Sequence, residues 1–241
     1  MSILYFRLKV LAVDKNKNTL SHIEDAYRKL KHLMLQQKIL PGQKLLYREL
    51  TDLLQMSKTP IVNALNRLEQ DGFVASEPNC GYFLKPIDGK EIMDSSEVRE
   101  ALETKAVAQV IKLGKPEDML RLEKKLAVLD AYPPAIHDKK RFVLNAEFHL
   151  QIAEVTGNRI LKYLLKRNFE HIILRVNADI FTAESTAESN QEHRELLKNL
   201  KRKNGAKSTA LIQEHIHKTR DRIIRYLARD VPNDLETMNF F

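Results

Sequence analysis

RELTDLLQMSKTPIVNALNRLEQDGF, residues 48–73, decides how this chain reads. Its first part places Leu50, Leu53 and Leu54 on one side of a short helix. Its second part places Ile61, Ala64, Leu65 and Leu68 at i, i+3, i+4 and i+7, a single apolar stripe. Met56-Ser57-Lys58 separates them as a tight turn. Ser57 is a suitable cap for the second helix, and Pro60 is tolerated only in a first turn. Opposite the stripe stand Thr59, Asn63, Asn66 and Gln70, with Val62 and Arg67 on the flanks. That outer face is polar, short-chained and rich in amides. Two helices so joined suggest a helix-turn-helix whose second helix reads DNA. Two helices of an ordinary helical domain would give the same pattern, so the rest of the chain has to discriminate.

Working outward, Phe73–Ser76 and Tyr82–Lys85 are strand-like around a turn at Glu77–Gly81, a small hairpin that would make the unit a winged helix. Glycine at the wing tip lets backbone approach a phosphate or a groove. Upstream, Ser21-His22-Ile23-Glu24 has capping-box form and starts a helix to about Gln37, which Pro41-Gly42 closes. Residues 3–13 alternate as a strand or extended arm, and Asp14–Thr19 is polar linker. Downstream, Pro86–Gly89 reads as a second linker. Helices are expected near 90–113, 116–131, 138–156, 159–182, 189–203 and 206–229, with breaks at Gly114, Pro133-Pro134, Gly157-Asn158 and Gly205 and a capping box at Ser189–Glu192. The expected organisation is an arm (1–20), a winged helix-turn-helix (21–87), an all-helical domain (88–229) and a tail (230–241). The fold class is mainly α.

Bulk properties agree. The 241 residues carry a net charge of +8 and 43% hydrophobic residues, enough for two cores. The first 87 residues hold 13 Lys and Arg against 8 Asp and Glu, while the remaining 154 hold 27 against 24. The basic excess is thus concentrated where a DNA-binding unit needs it. The single cysteine, Cys80, excludes an internal disulfide and fits a reducing compartment. No apolar run reaches the ~18 residues of a membrane helix, and the N-terminal stretch lacks a cleavage site. A soluble, cytoplasmic protein without a membrane partner is expected.

The helix followed by PGQKL, the stretch above and the hairpin at Gly81 together resemble the DNA-binding domain of the GntR family of bacterial transcription regulators, over roughly residues 20–86. By position the resemblance assigns DNA contacts to Arg48, Lys58, Thr59, Asn63 and the wing around Gly81. Asn66, Arg67 and Tyr82 complete the candidate DNA-facing set. Two residues depart from the family, Lys58 and Val62, both usually arginine there. Arginine is the commonest bidentate reader of guanine, whereas valine offers only an apolar contact. Asn63 and Asn66 fit adenine better, so the operator need not carry the guanine that relatives read.

In the helical half, three separate helices each turn one histidine inward. His149 lies four residues after Asn145 on the face of Ile152, His193 heads the stripe of Leu197 and Leu200, and His215 follows Leu211 and Ile212. Each could be a hydrogen-bonded core histidine, or the three could share a metal. His171 and His217 lie off these stripes, and His22, His32 and His137 stand outside the set. VREALE (98–103), NAEFH (145–149), TGN (156–158), EHRELL (192–197) and EHIHKTRDRI (214–223) resemble the FCD effector-binding domain of the FadR subfamily. The resemblance implies a divalent metal held at Asn145, His149, His193 and His215, with zinc first and nickel or manganese as alternatives. Asn145 departs from the family's aspartate, which leaves the 2+ charge uncompensated and implies either weaker metal binding or more dependence on an anionic effector. Arg99 either holds an effector carboxylate or pairs with Glu103 at i+4.

The expected function is a ligand-responsive transcription regulator. A homodimer would bind a palindromic operator, and a small organic acid at the metal site would alter operator affinity. Direct metal sensing is the alternative. A metal-dependent hydrolase is disfavoured because no carboxylate stands out beside the histidines, with Glu147 and Glu192 off the inner stripes.

Overall fold

A computed structural model describes residues 22–78, 80–133, 139–180 and 182–229. The expected N-terminal arm, Ser21 of the first capping box, His137 and the tail lie outside these residues. Two cores form. The first belongs to a winged helix built from α1 (His22–Leu35), β1 (Lys44–Leu45), α2 (Tyr47–Leu54), α3 (Lys58–Gln70), β2 (Val74–Glu77) and β3 (Gly81–Leu84). Ile61, Ala64, Leu65 and Leu68 of α3 are fully buried against Leu30 and Met34 of α1, so the stripe read from the sequence is the floor of this core. The sheet is antiparallel in the order β1-β3-β2, with Leu45 opposite Tyr82 and Glu77 opposite Gly81. Gly81 adopts φ +103°, a conformation that L side chains rarely take. The two-residue β1 has no period to be read and was not anticipated.

Two local expectations fail. Leu53 is 52% exposed, and only Leu50 and Leu54 of that helix are buried, because the core touches one narrow side of α2. Ser57 stands at the N-cap of α3 in extended conformation but makes no side-chain cap. The helix α2 is capped by nothing at its start either: its N-cap is Leu46, and its C-cap, Gln55, is left-handed at φ +52°. Leu46→Ser would supply the missing acceptor, and Gln55→Gly would relieve the left-handed strain. Each should raise stability by about 1 kcal/mol in urea unfolding; a loss at Leu46→Ser would mean that its half-exposed side chain contributes packing.

The second core is a helical bundle: α4 (Gly89–Leu113), α5 (Pro116–Asp130), α6 (Lys140–Val155), α7 (Arg159–Arg175), a 3-10 turn (Ala178–Ile180), α8 (Ala183–Lys201) and α9 (Gly205–Arg229). Asp88 caps α4 by accepting from Glu91 N at 2.7 Å, and Asn158 caps α7 by accepting from Leu161 N at 3.0 Å. Two boundaries differ from expectation. The helix expected over 159–182 stops at Arg175, where Val176 turns extended, and the buried Ala178 and Ile180 belong to a separate 3-10 turn. The helix expected from 189 starts at Ala183, so Ser189–Glu192 is mid-helix and caps nothing. The cap is Thr182, whose Oγ1 accepts from Ser185 N while Ser185 Oγ accepts from Thr182 N. That box carries serine where the usual motif has Glu or Gln, which is why the pattern passed over it.

The helix α7 joins the two units. Leu174 is part of the winged-helix core, and His171 stacks on Phe73 with ring centroids 4.7 Å apart. Arg167 donates to Asp71 at 2.7 Å, and Lys31 donates to Glu170 at 2.7 Å. Lys139, at the N-cap of α6, is buried and donates to the carbonyls of Met34 and Leu174, near the C-termini of α1 and α7; burial lowers its pKa to about 8. Arg175 is 2% exposed and donates to the linker carbonyls of Lys85 (2.9 Å) and Pro86 (2.6 Å) and to the Glu91 carboxylate (2.6 Å).

Candidate functional site

The bundle brings its three inward histidines together. His149, His193 and His215 offer ring nitrogens that all lie within 4.8 Å of one another. The residues are 0%, 1% and 3% exposed. His149 Nδ1–H donates to Glu103 Oε2 at 2.5 Å, which turns Nε2 inward, 3.2 Å from His193 Nε2 and 3.3 Å from Arg99 Nη2. His215 Nδ1–H donates to Glu192 Oε2 at 2.7 Å, so its Nε2 is the free nitrogen. Burial lowers the pKa of all three, and neighbouring positive charges push His193 and His215 further down, so each is a neutral imidazole. Burial pushes the Glu103 carboxyl up, but Arg99 and His149 outweigh it and hold the pKa at about 2.

This donor set fits a divalent cation. Neutral imidazoles are borderline donors suited to zinc and its neighbours. Two of them already give their outer N–H to a carboxylate, which fixes the tautomer a metal ligand needs. His215 Nε2 and His193 Nδ1 are buried without a hydrogen-bond partner, a cost that coordination at the triad would offset at His215. A metal there would be held by His149, His193 and His215.

Asn145 sits one turn before His149 and is half-buried. It lines a narrow cavity of ≈ 30 Å³ with Arg141, Phe142, Thr186, Ser189 and Thr219. Ser189 and Thr219 are each four residues from a triad histidine, so this cavity is the adjacent layer of the bundle. Thr186 Oγ1 is buried in it without a partner. Sequence reading left Arg99 as either an arm for an effector carboxylate or a partner of Glu103; here it pairs with Glu103 and also touches the triad. Its Nε donates to Glu103 Oε1 at 2.5 Å while Nη2 reaches His149 and its guanidinium lies 4.6 Å from the Phe169 ring centroid. Sequence reading also placed no carboxylate beside the histidines. Glu103 and Glu192 are both there, each bound to a ring nitrogen from a neighbouring helix. Glu192 lies off its own helix's apolar stripe because it faces α9. His217 is bound to Glu100 at 2.7 Å, away from the triad.

The other surface of interest is the outer side of α3. Thr59, Asn63, Asn66 and Gln70 are exposed, as are Arg48 and Lys58, and Val62 is half-buried. Asn63 Nδ2 donates to Thr59 O at 3.1 Å, which leaves its carbonyl oxygen outward. Tyr82 of the wing donates to Asn66 Oδ1, next to Gly81. Lys58 Nζ lies 5.1 Å from the Tyr47 ring centroid, and Tyr47 meets Tyr82 edge-on at 6.2 Å. A row Lys58–Tyr47–Tyr82–Asn66 therefore links α2, the wing and α3. Arg67 is turned instead toward α1, where it pairs with Glu24 and covers the Tyr27 ring at 4.2 Å.

Comparison with known proteins accounts for both halves. The gntR family of bacterial regulatory proteins matches residues 22–84, and the FCD domain matches residues 94–218. The chain is 29% identical to the HTH-type transcriptional regulator YdhC of Bacillus subtilis over 185 residues, 74% of this chain and 80% of that protein. It is 26% identical to the Nta operon transcriptional regulator of Aminobacter aminovorans over 199 residues, 83% and 92% of the two chains. The fold matches McbR/YncC of E. coli with a TM-score of 0.66 at 21% identity, covering 88% of this chain and 99% of that one. It also matches Lar, which controls expression of the Listeria monocytogenes agr system, with a TM-score of 0.61 at 17% identity over 88% and 99%. Among the described residues no helix is long and apolar enough to cross a membrane. With both matches falling on the winged helix and on the bundle built around the histidine triad, the chain is a transcription regulator rather than an enzyme and belongs to the GntR family in its FCD-domain branch.

Proposed function

We propose that the chain acts as a cytoplasmic homodimer that binds a palindromic operator, and that a small organic acid at a divalent metal, zinc first, modulates operator affinity. The observation that carries the reading is the pairing of an exposed amide face on α3 with a closed histidine triad in the bundle. Arg48 and Lys58 supply the salt-sensitive phosphate term, and Thr59, Asn63 and Asn66 read bases, with Gly81 and Tyr82 alongside. Arg67 keeps the reading helix on α1. In the bundle, His149, His193 and His215 hold the metal; Asn145 and Arg99 face an incoming carboxylate. When bound, the metal supplies a Lewis-acidic anchor for that carboxylate. Operator and effector must couple reciprocally.

Asn63→Ala should cost ~1–3 kcal/mol on cognate DNA and relax one base position, read by selecting bound sequences from a random pool with and without candidate metabolites. Unchanged discrimination would remove α3 as the reading helix. His193→Ala should empty the triad by elemental analysis, while Asn145→Asp should raise metal affinity about tenfold. Full occupancy in the first variant would dismiss the site.

One observation favours direct metal sensing as a second reading. The ≈ 30 Å³ cavity beside the triad has room for about one water, not a carboxylic acid. An effector would have to part α6 from α8, whereas a metal alone fits the site as it stands. Loss of operator binding on zinc addition, with no response to a panel of organic acids, would select this reading.

A further inference from the structure

Two asparagines on α3 are held in opposite senses. Asn63 and Asn66 are both exposed and stand three residues apart, about 4.5 Å along the axis, a little more than one base step of about 3.4 Å. Asn63 gives its Nδ2 to Thr59 O at 3.1 Å, so Oδ1 is its outward atom. Asn66 is turned the other way. Its Oδ1 accepts from the Tyr82 hydroxyl, which draws the oxygen to the wing and leaves Nδ2 outward. Among the described residues that Nδ2 has no partner. Tyr82 is well placed to impose this. It lies in the central strand β3, with Leu45 of β1 opposite it on one side and Ser76 of β2 on the other. Tyr47 meets its ring edge-on. The wing and α3 are tied a second time one turn further on, where Ser76 N donates to Glu69 Oε1 at 3.1 Å. Leu65 and Leu68, on either side of Asn66, are fully buried. Both backbones that carry the Tyr82–Asn66 bond are thus fixed by packing before DNA arrives.

An asparagine that reads adenine in the major groove uses both amide atoms, the oxygen on N6–H and the nitrogen on N7. Asparagines held as these two are offer one atom each. An outward oxygen accepts from an amino group, N6 of adenine or N4 of cytosine. An outward Nδ2 donates to a keto oxygen, O6 of guanine or O4 of thymine. We propose that Asn63 reads an amino base and Asn66 a keto base in neighbouring steps of the operator, and that Tyr82 is the positioning residue that makes Asn66 a donor. Adenine, which the residue type alone suggests for both positions, is then excluded at Asn66 and is one of two bases at Asn63. The inference rests on α3 being the reading helix, as proposed above, and names the base class that each amide takes.

The test is selection of bound duplexes from a random pool by the full chain, followed by competition titrations on duplexes that differ at one position. The position that loses its preference in Asn66→Ala should admit two base pairs in the parent, with guanine or thymine on the contacted strand, over the other two by about tenfold. Asn66→Asp keeps the shape and the Tyr82 bond but turns an acceptor outward, so the preference should invert to the other two pairs, again by about tenfold. Asn63→Asp keeps an outward acceptor, so its position should hold the parent's preference. The added charge acts through the phosphates, weakens every duplex alike and cancels in the ratio. Tyr82→Phe, with Asn66 intact, should release Oδ1, so that the keto preference is lost and adenine is admitted. The Asp and Phe changes are nearly isosteric, and circular dichroism should show the parent's helix content in each. A single adenine at the Asn66 position, no position that depends on Asn66, an Asn66→Asp variant that keeps the parent's preference, or a Tyr82→Phe variant that selects as the parent does would each overturn the proposal. Failure of the parent to select any sequence would instead remove α3 as the reading helix, and this inference with it.

Discussion

Arg175→Met should lower stability by about 3 kcal/mol, the larger part of it from breaking a buried ion pair and orphaning two carbonyls. The Arg175 side chain is 1% exposed and ties three segments together: the end of α7, the linker at Lys85 and Pro86, and the first turn of α4 through Glu91. Methionine keeps the volume of the stem and removes every donor. Glu91 is one-third exposed and keeps Lys85 at 3.2 Å, which moderates the cost. The hydrogen bond from Arg175 holds the Glu91 carboxyl down at about 2. Because that pKa lies below the unfolded value, the contribution is present above the ordinary carboxylate range and is lost as pH falls toward 2. Urea unfolding at pH 7 and pH 3 should therefore show the variant losing less on acidification than the parent. Equal acid sensitivity would mean that Arg175 is not what holds Glu91.

The second large effect belongs to Glu103. Glu103→Gln would leave Arg99, itself buried, with no counter-charge, and should cost about 3–5 kcal/mol. A purely steric role would predict almost nothing, since the amide has the same shape. Arg99→Met combined with Glu103→Gln should cost less than Glu103→Gln alone, because the orphaned charge is gone. Here too the carboxyl is depressed, to about 2, so its contribution is present at neutral pH and declines as pH falls below about 4.5. The same change should weaken metal binding by about 10–100-fold through His149. Metal affinity that survives while stability falls would separate the two roles.

How much of this was legible in the sequence depends on which physical signal a residue leaves. The α3 stripe was legible because a helix repeats its buried side every third and fourth residue, and all four stripe positions are buried. The convergence of His149, His193 and His215 was legible for the same reason: each sits on its own helix's inner side. Glu192 was not, because it faces the adjacent helix rather than the core, and periodicity says nothing about what a flank residue reaches. Glu103 was seen only as a neighbour of Arg99, since contact with His149 depends on how α4 and α6 pack. Leu53 and Ser57 have the right chemistry for burial and capping but no partner in reach. The arrest of α7 at Arg175 left no glycine or proline to mark it.

The uncapped α2 has a kinetic consequence. Eight residues are too few to hold a helix alone; its start receives no side-chain cap, and its end is helped only by the Gln55 amide on Asp52 O at 2.7 Å. Its amides should exchange with solvent through local opening, at much lower free energy than those of α3, whose buried stripe opens only with the whole domain. Arg48 and Tyr47 sit in its first turn, so contact with DNA would restrain this helix directly. Protection from exchange on operator binding should accordingly be greatest in α2. Part of the intrinsic affinity would then be spent as entropy lost in ordering it, and the uncapped helix would act as a brake on binding strength.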